Sequence, residues 1–175
     1  MNEEIKNIVQ KIKAFAFDVD GVFSGHILMD CNGNQLHPLN MKDGYAMQLL
    51  NKLNLPVAII TGGNSEMVKK RFLRLGVPEQ NIYMRSFDKQ IPFDEFIKRY
   101  NLQKDEVAFM GDDMPDYKVM QHCGLPVCPA DASEDILKLS KYVTKRSAGY
   151  GCVRELVEMV LKEQGKWWTE KTFTW

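Results

Sequence analysis

The 175-residue chain has no C-x-x-C pair, no apolar run long enough for a membrane span, and no excess of either charge, with 23 Lys plus Arg against 23 Asp plus Glu. Each absence removes a class of function. Cys31, Cys123, Cys128 and Cys152 are too widely spaced for a zinc ribbon or a disulfide framework, so buried reduced thiols are expected. His26, His37 and His122 lack metal-ligand spacing, although His26 and His37 are close enough to the first motif to reach a substrate. Charge balance excludes an overall positive field for nucleic acid or an anionic membrane. The N-terminal Met-Asn-Glu-Glu has neither the basic start nor the apolar stretch of a signal peptide, so a cytoplasmic location is expected.

What remains is an ordinary globular composition, 45% apolar and 26% charged, long enough to bury one real core. The most informative feature is Asp18-Val19-Asp20-Gly21, directly after the apolar run Ala14-Phe15-Ala16-Phe17. Charges at the end of a buried strand call for a cation, a partner or a reaction. A turn or helix cap would also use such aspartates, and the rest of the chain decides between the two.

The hydrophobic periodicity predicts a helix through Ile5, Ile8, Val9 and Ile12, then strands at 13–19, 57–60, 81–84, 107–110, 125–128 and 141–143. Helices are expected from about Asp43, a cap candidate, to Leu53, from Asn64 or Ser65 to Gly76, and at 91–100, 114–122 and 151–164. Asn-Gly in Cys31-Asn32-Gly33-Asn34 predicts a β-hairpin over 26–40, a flap spanning about 22–42 that is too small for a second domain. Residues 1–165 therefore read as one α/β domain, Rossmann-like and three-layered, with a mainly parallel sheet. The tail at 166–175 holds all three tryptophans, Trp167, Trp168 and Trp175, together with Phe173, and must dock to hide them.

In such sheets ligands bind at the carboxyl ends of the strands. Asp18 and Asp20 sit at the end of the first predicted strand, Thr61, Asp112, Asp113 and Asp116 follow later ones, and all converge there. Unit charges about 4 Å apart repel by roughly 4 kcal/mol at an effective dielectric near 20, which a bound cation resolves. Oxygen-only ligands suit Mg²⁺, and Thr61 and Lys89 supply a hydroxyl and a charge for the other oxygens of a phosphoryl group.

The order D-x-D, Thr, Lys, G-D-D-x-x-D resembles the haloacid dehalogenase phosphatase superfamily. The resemblance implies Asp18 as nucleophile, Asp20 as general acid and base, and a metal held by Asp18, the Asp20 carbonyl and Asp112. Asp113 and Asp116 would support the metal shell or its loops, while Thr61, Gly62 and Lys89 would hold the phosphate. From about Phe15 to Lys166, the stretches DVDGVFSG, NMKDGY, AIITGGNS, VAFMGDDMPDYKVM, GLPVCPADA and AGYGCVRELVEMVLKEQGK are similar to a capless branch typified by 3-deoxy-D-manno-octulosonate 8-phosphate phosphatase. That branch implies a phosphorylated sugar-acid substrate, a step of lipopolysaccharide sugar biosynthesis, no nucleic acid or membrane partner, and a homotetramer whose hairpins and C-terminal segments close neighbouring sites.

The departures fall where the sugar would lie. T-G-R of the family is Thr61-Gly62-Gly63 here, R-D-G is Lys42-Asp43-Gly44, and a Gly-Gly pair is Ala148-Gly149. A nine-carbon acid such as ketodeoxynononate 9-phosphate is thus the alternative substrate, and Arg71 and Lys42 are the candidates to hold its carboxylate. Outside enzymes, a receiver-like signalling domain also combines Asp, Thr and Lys on a parallel sheet, but there the acidic pair precedes a phosphoacceptor on a later strand. An idle assembly module would be expected to have lost the nucleophile or the lysine, and this chain has kept both.

Overall fold

The computed structural model describes residues 3–33 and 35–174. In chain order the elements are α1 (Glu3–Lys11), β1 (Ala14–Phe17), β2 (Leu28–Met29), β3 (Gln35–Leu36), α2 (Met41–Lys52), β4 (Val57–Ile60), α3 (Glu66–Arg74) and β5 (Ile82–Tyr83). They continue with α4 (Gln90–Arg99), β6 (Val107–Met110), α5 (Met114–His122), β7 (Leu125–Cys128), α6 (Glu134–Leu139), β8 (Tyr142–Val143) and α7 (Cys152–Glu163). Six strands form one parallel sheet in the order β5-β4-β1-β6-β7-β8. No large cap domain interrupts it, and the only additional sheet among the described residues is the β2–β3 hairpin.

Strand periodicity explains the three layers. In β1, Phe15 and Phe17 join one core with Ile5, Val9, Leu49, Phe72, Val153 and Leu156, from α1, α2, α3 and α7. Ala14 and Ala16 face the opposite core, filled by Phe93, Phe96, Val119 and Ile136 of α4, α5 and α6. Every residue of β1, β4, β6 and β7 is buried, as a sheet covered on both faces requires. A buried Phe contributes roughly 1.5–3 kcal/mol, so these faces anchor the strand ends that carry the site. From β1 the chain crosses to β4 and β5 on one side and then returns past β1 to β6 on the other, and this reversal opens the crevice at the carboxyl end of β1.

Three local expectations change. Asn40, not Asp43, caps α2, accepting from the Lys42 N–H at 2.8 Å. Asp43 is buried and accepts from the Arg154 N–H at 2.7 Å, tying α2 to α7, and burial raises its pKa to about 6. Helix α6 has no counterpart in the hydrophobic pattern, because its six residues are too few to display a period. Cys128 and Cys152 are buried free thiols, whereas Cys31 is exposed on the hairpin and Cys123 half-buried. Asn34, part of the expected hairpin turn, lies outside the described residues.

The aromatic tail packs in part on its own chain. Gly165 turns the chain with φ 67°, and Trp167 drops into the main core with the Arg154 guanidinium 4.6 Å from its ring centre. The Tyr45 hydroxyl donates to the Thr172 carbonyl and Lys171 Nζ to the Lys52 carbonyl at 2.7 Å, strapping residues 167–174 along α2. Trp168 and Phe173 remain on the outside of this strap, and Trp175 lies outside the described residues.

Candidate active site

The loops following β1, β4, β5 and β6 build one acidic cleft. Asp18 ends β1, and its N–H donates to the Met110 carbonyl at 3.0 Å, fixing it against the end of β6. The chain then turns through Gly21, at φ 85°, where a Cβ would fall 1.9 Å from Asp112 Oδ2. Only glycine permits both the left-handed turn and the close approach of Asp112. Ligand oxygens of Asp18, Asp112 and Asp116 lie within 4.8 Å of one another.

Lys89 sits between two of these carboxylates, 4% exposed, with Nζ 2.9 Å from Asp18 Oδ1 and 2.7 Å from Asp116 Oδ1. Burial alone would lower its pKa, but the two flanking carboxylates more than offset that and hold it above the ordinary lysine value. Asp116 has both oxygens engaged, since Oδ2 accepts the Asp112 N–H at 3.1 Å. It orients the Asp112 loop, and Asp113 caps α5 by accepting from Met114 N–H at 2.8 Å. Metal-ligating capacity therefore concentrates on Asp18 and Asp112, with Asp116 behind them.

Burial, followed by the Asp116 charge, raises Asp18 to about 7 against the opposing pull of Lys89. Burial, then Asp18 and Asp116, raises Asp112 to about 8. Two carboxylates forced toward neutrality beside one lysine are a site short of positive charge. A divalent cation with oxygen preference fits that deficit.

Thr61, buried at the end of β4, accepts the Gly63 N–H at 3.1 Å and keeps its hydroxyl hydrogen for a ligand. Asp20 stands on the other side, with part of its carboxylate exposed. His37, from the end of the hairpin, brings Nδ1 to 3.1 Å from Asp20 Oδ1, at an angle outside hydrogen-bond range. Asp20, His37, Thr61 and Asn64 line one narrow cleft. The sequence places His37 within reach of the first motif, but its approach to Asp20 depends on where the hairpin folds back.

Asp18, Asp20, Thr61, Gly62, Lys89, Asp112, Asp113 and Asp116 thus share one edge of the sheet, while the two candidate sugar contacts lie elsewhere. The Arg71 guanidinium lies against Gly44, where a Cβ would meet Nη2 at 2.6 Å, in a crevice with Phe23, Leu39 and Phe72. Lys42 is exposed and lines a separate groove with Arg154 and Glu158.

A haloacid dehalogenase-like hydrolase family model matches residues 72–156. The chain is 37% identical over 158 residues to the 3-deoxy-D-manno-octulosonate 8-phosphate phosphatase of Salmonella typhi, covering 90% of this chain and 83% of that protein. The chain belongs to the haloacid dehalogenase-like hydrolases. Within that family it closely resembles the octulosonate 8-phosphate phosphatases in structure as well. The Yersinia pestis enzyme superposes with a TM-score of 0.91 at 34% identity, over 95% of this chain and 89% of that one. The Moraxella catarrhalis enzyme, solved with magnesium, phosphate and the sugar acid, gives 0.89 at 32% identity over 94% of each chain.

Proposed function

We propose that this hydrolase removes the terminal phosphate of 3-deoxy-D-manno-octulosonate 8-phosphate, with Mg²⁺ bound at Asp18, the Asp20 carbonyl and Asp112. The observation carrying this reading is the buried Asp18–Lys89–Asp116 array beside Asp112 at a strand end, in a chain similar to phosphatases of that substrate. Bound there, Mg²⁺ supplies the charge that keeps Asp18 and Asp112 ionised and offsets charge on a phosphoryl oxygen. Lys89 and the Thr61 hydroxyl, with the Gly62 backbone, hold the remaining phosphoryl oxygens.

Asp18 attacks phosphorus in line, forming an aspartyl phosphate as the sugar alkoxide leaves. Asp20 donates the proton that alkoxide takes, and then removes one from the water that attacks the phosphorus and releases Asp18. Its place at the cleft mouth suits both duties, because its side chain is partly exposed while Asp18 is buried. Phosphate release from eight-carbon and nine-carbon ketodeoxy sugar-acid phosphates, assayed with Mg²⁺, after chelation and after Mg²⁺ is restored, tests the reading. Preference for the eight-carbon ester and reversible silence under chelator are expected. A nine-carbon preference would move the assignment to that ester, and no release from either would refute it.

The assembly is proposed to be a homotetramer. The hairpin exposes Ile27, Leu28, Met29 and Leu36, an apolar ribbon that solvent disfavours and a second subunit could cover. Light scattering should give four times the 20.2 kDa chain mass. A fully active monomer at working concentration would reject the tetramer.

A further inference from the structure

A substrate that carries a carboxylate as well as a phosphate needs a second cation, and the cleft's own lysine is already consumed. Lys89 is buried between Asp18 and Asp116. Lys69 pairs with Glu79 at 2.8 Å and Lys118 with Asp88 at 3.2 Å. Arg85, on the loop after β5, is different. Its backbone is left-handed, at φ 53°, a conformation that residues with a side chain rarely hold without cause.

Two hydrogen bonds fasten that loop to the phosphate-holding loop, Arg85 N–H to the Gly63 carbonyl at 3.0 Å and Ser86 N–H to the Thr61 carbonyl at 2.9 Å. The guanidinium is gripped as well. With its amide assigned so that the oxygen faces the donors, Asn64 accepts from Arg85 Nη2 at 2.7 Å and Nε at 3.1 Å. Asn64 itself lines the cleft with Asp20, His37 and Thr61. The clamp is a neutral amide, so it orients the guanidinium without cancelling its charge, and leaves Nη1 and one Nη2 hydrogen as a fork for a carboxylate.

We propose that Arg85, oriented by Asn64 on the rim of the Asp20–Thr61 cleft, binds the substrate's carboxylate and sets the preference for sugar-acid phosphates over carboxylate-free ones. The inference rests on the substrate reading above. It assigns to a residue with no motif around it the role that sequence gave to Arg71 and Lys42.

Steady-state kinetics of wild type, Arg85→Gly and Arg85→Lys, on 3-deoxy-D-manno-octulosonate 8-phosphate and on ribose 5-phosphate, tests it. Glycine tolerates the left-handed backbone, so Arg85→Gly should fold. Its KM for the sugar acid should rise roughly 10- to 100-fold, the worth of one charge-assisted fork, with kcat changed much less. The KM for ribose 5-phosphate should move at least fivefold less, and Arg85→Lys should fall between Arg85→Gly and wild type. Retained preference in Arg85→Gly, or equal KM increases on both esters, would overturn the assignment while leaving the substrate reading intact. A wild type indifferent to the carboxylate would instead overturn the substrate reading, and the role of Arg85 with it.

Discussion

Asp18→Asn should give a folded protein whose phosphatase activity is lower by roughly four to six orders of magnitude, the scale set by removing a covalent nucleophile. The amide has the shape of the carboxylate but cannot form the phosphoryl ester. Folding should not suffer, because Asp18 is buried, raised to about 7, and repelled by Asp116. Its neutral isostere removes that repulsion, although it also weakens the hold on Lys89, 2.9 Å away. Quenched single-turnover reactions should trap phosphate on the wild-type protein and none on the variant. Phosphoprotein formed by Asp18→Asn at wild-type rates would transfer the nucleophile's role to another residue.

The variant addresses the part of the site that sequence makes most legible. Asp18, Thr61 and the Asp112 loop each follow a strand that is apolar on both faces, so their convergence follows from the parallel sheet alone. The strands at 57–60, 107–110 and 125–128 are equally plain, being short continuous apolar runs bounded by turn residues. Contacts that depend on how separate loops meet are not legible in the same way. Arg85 and Asn64 are 21 positions apart in a loop pair that no periodicity links, and His37 reaches Asp20 only because the hairpin folds back. The tail is legible only in part. Its aromatic content demands burial but not a location, and the seam beside Arg154 receives Trp167 within the same chain.

Lys89→Met tests the array on which both chemistry and local stability depend. Methionine keeps the length of the stem and removes the charge, leaving Asp18 and Asp116 buried with no cation between them. Breaking a buried pair by deleting one partner costs about 3–5 kcal/mol. Activity should fall by at least roughly three orders of magnitude, because phosphoryl charge loses its fixed counter-charge. The stability loss should depend on pH in a direction that the carboxylates dictate. Asp18 already binds its proton more tightly folded, at about 7, than an ordinary aspartate at 3.8, and losing Lys89 raises it further. Folded protein then takes up protons that unfolded chain releases, so stability is retained below about pH 4 and is lost as pH rises toward and beyond 7. In chelator, the melting temperature of Lys89→Met should therefore lie furthest below wild type near pH 8, and the gap should narrow toward pH 5. Equal melting temperatures at pH 8 would mean that Lys89 does not hold the two carboxylates together. A gap that widened in acid would mean that its loss destabilises through packing rather than charge.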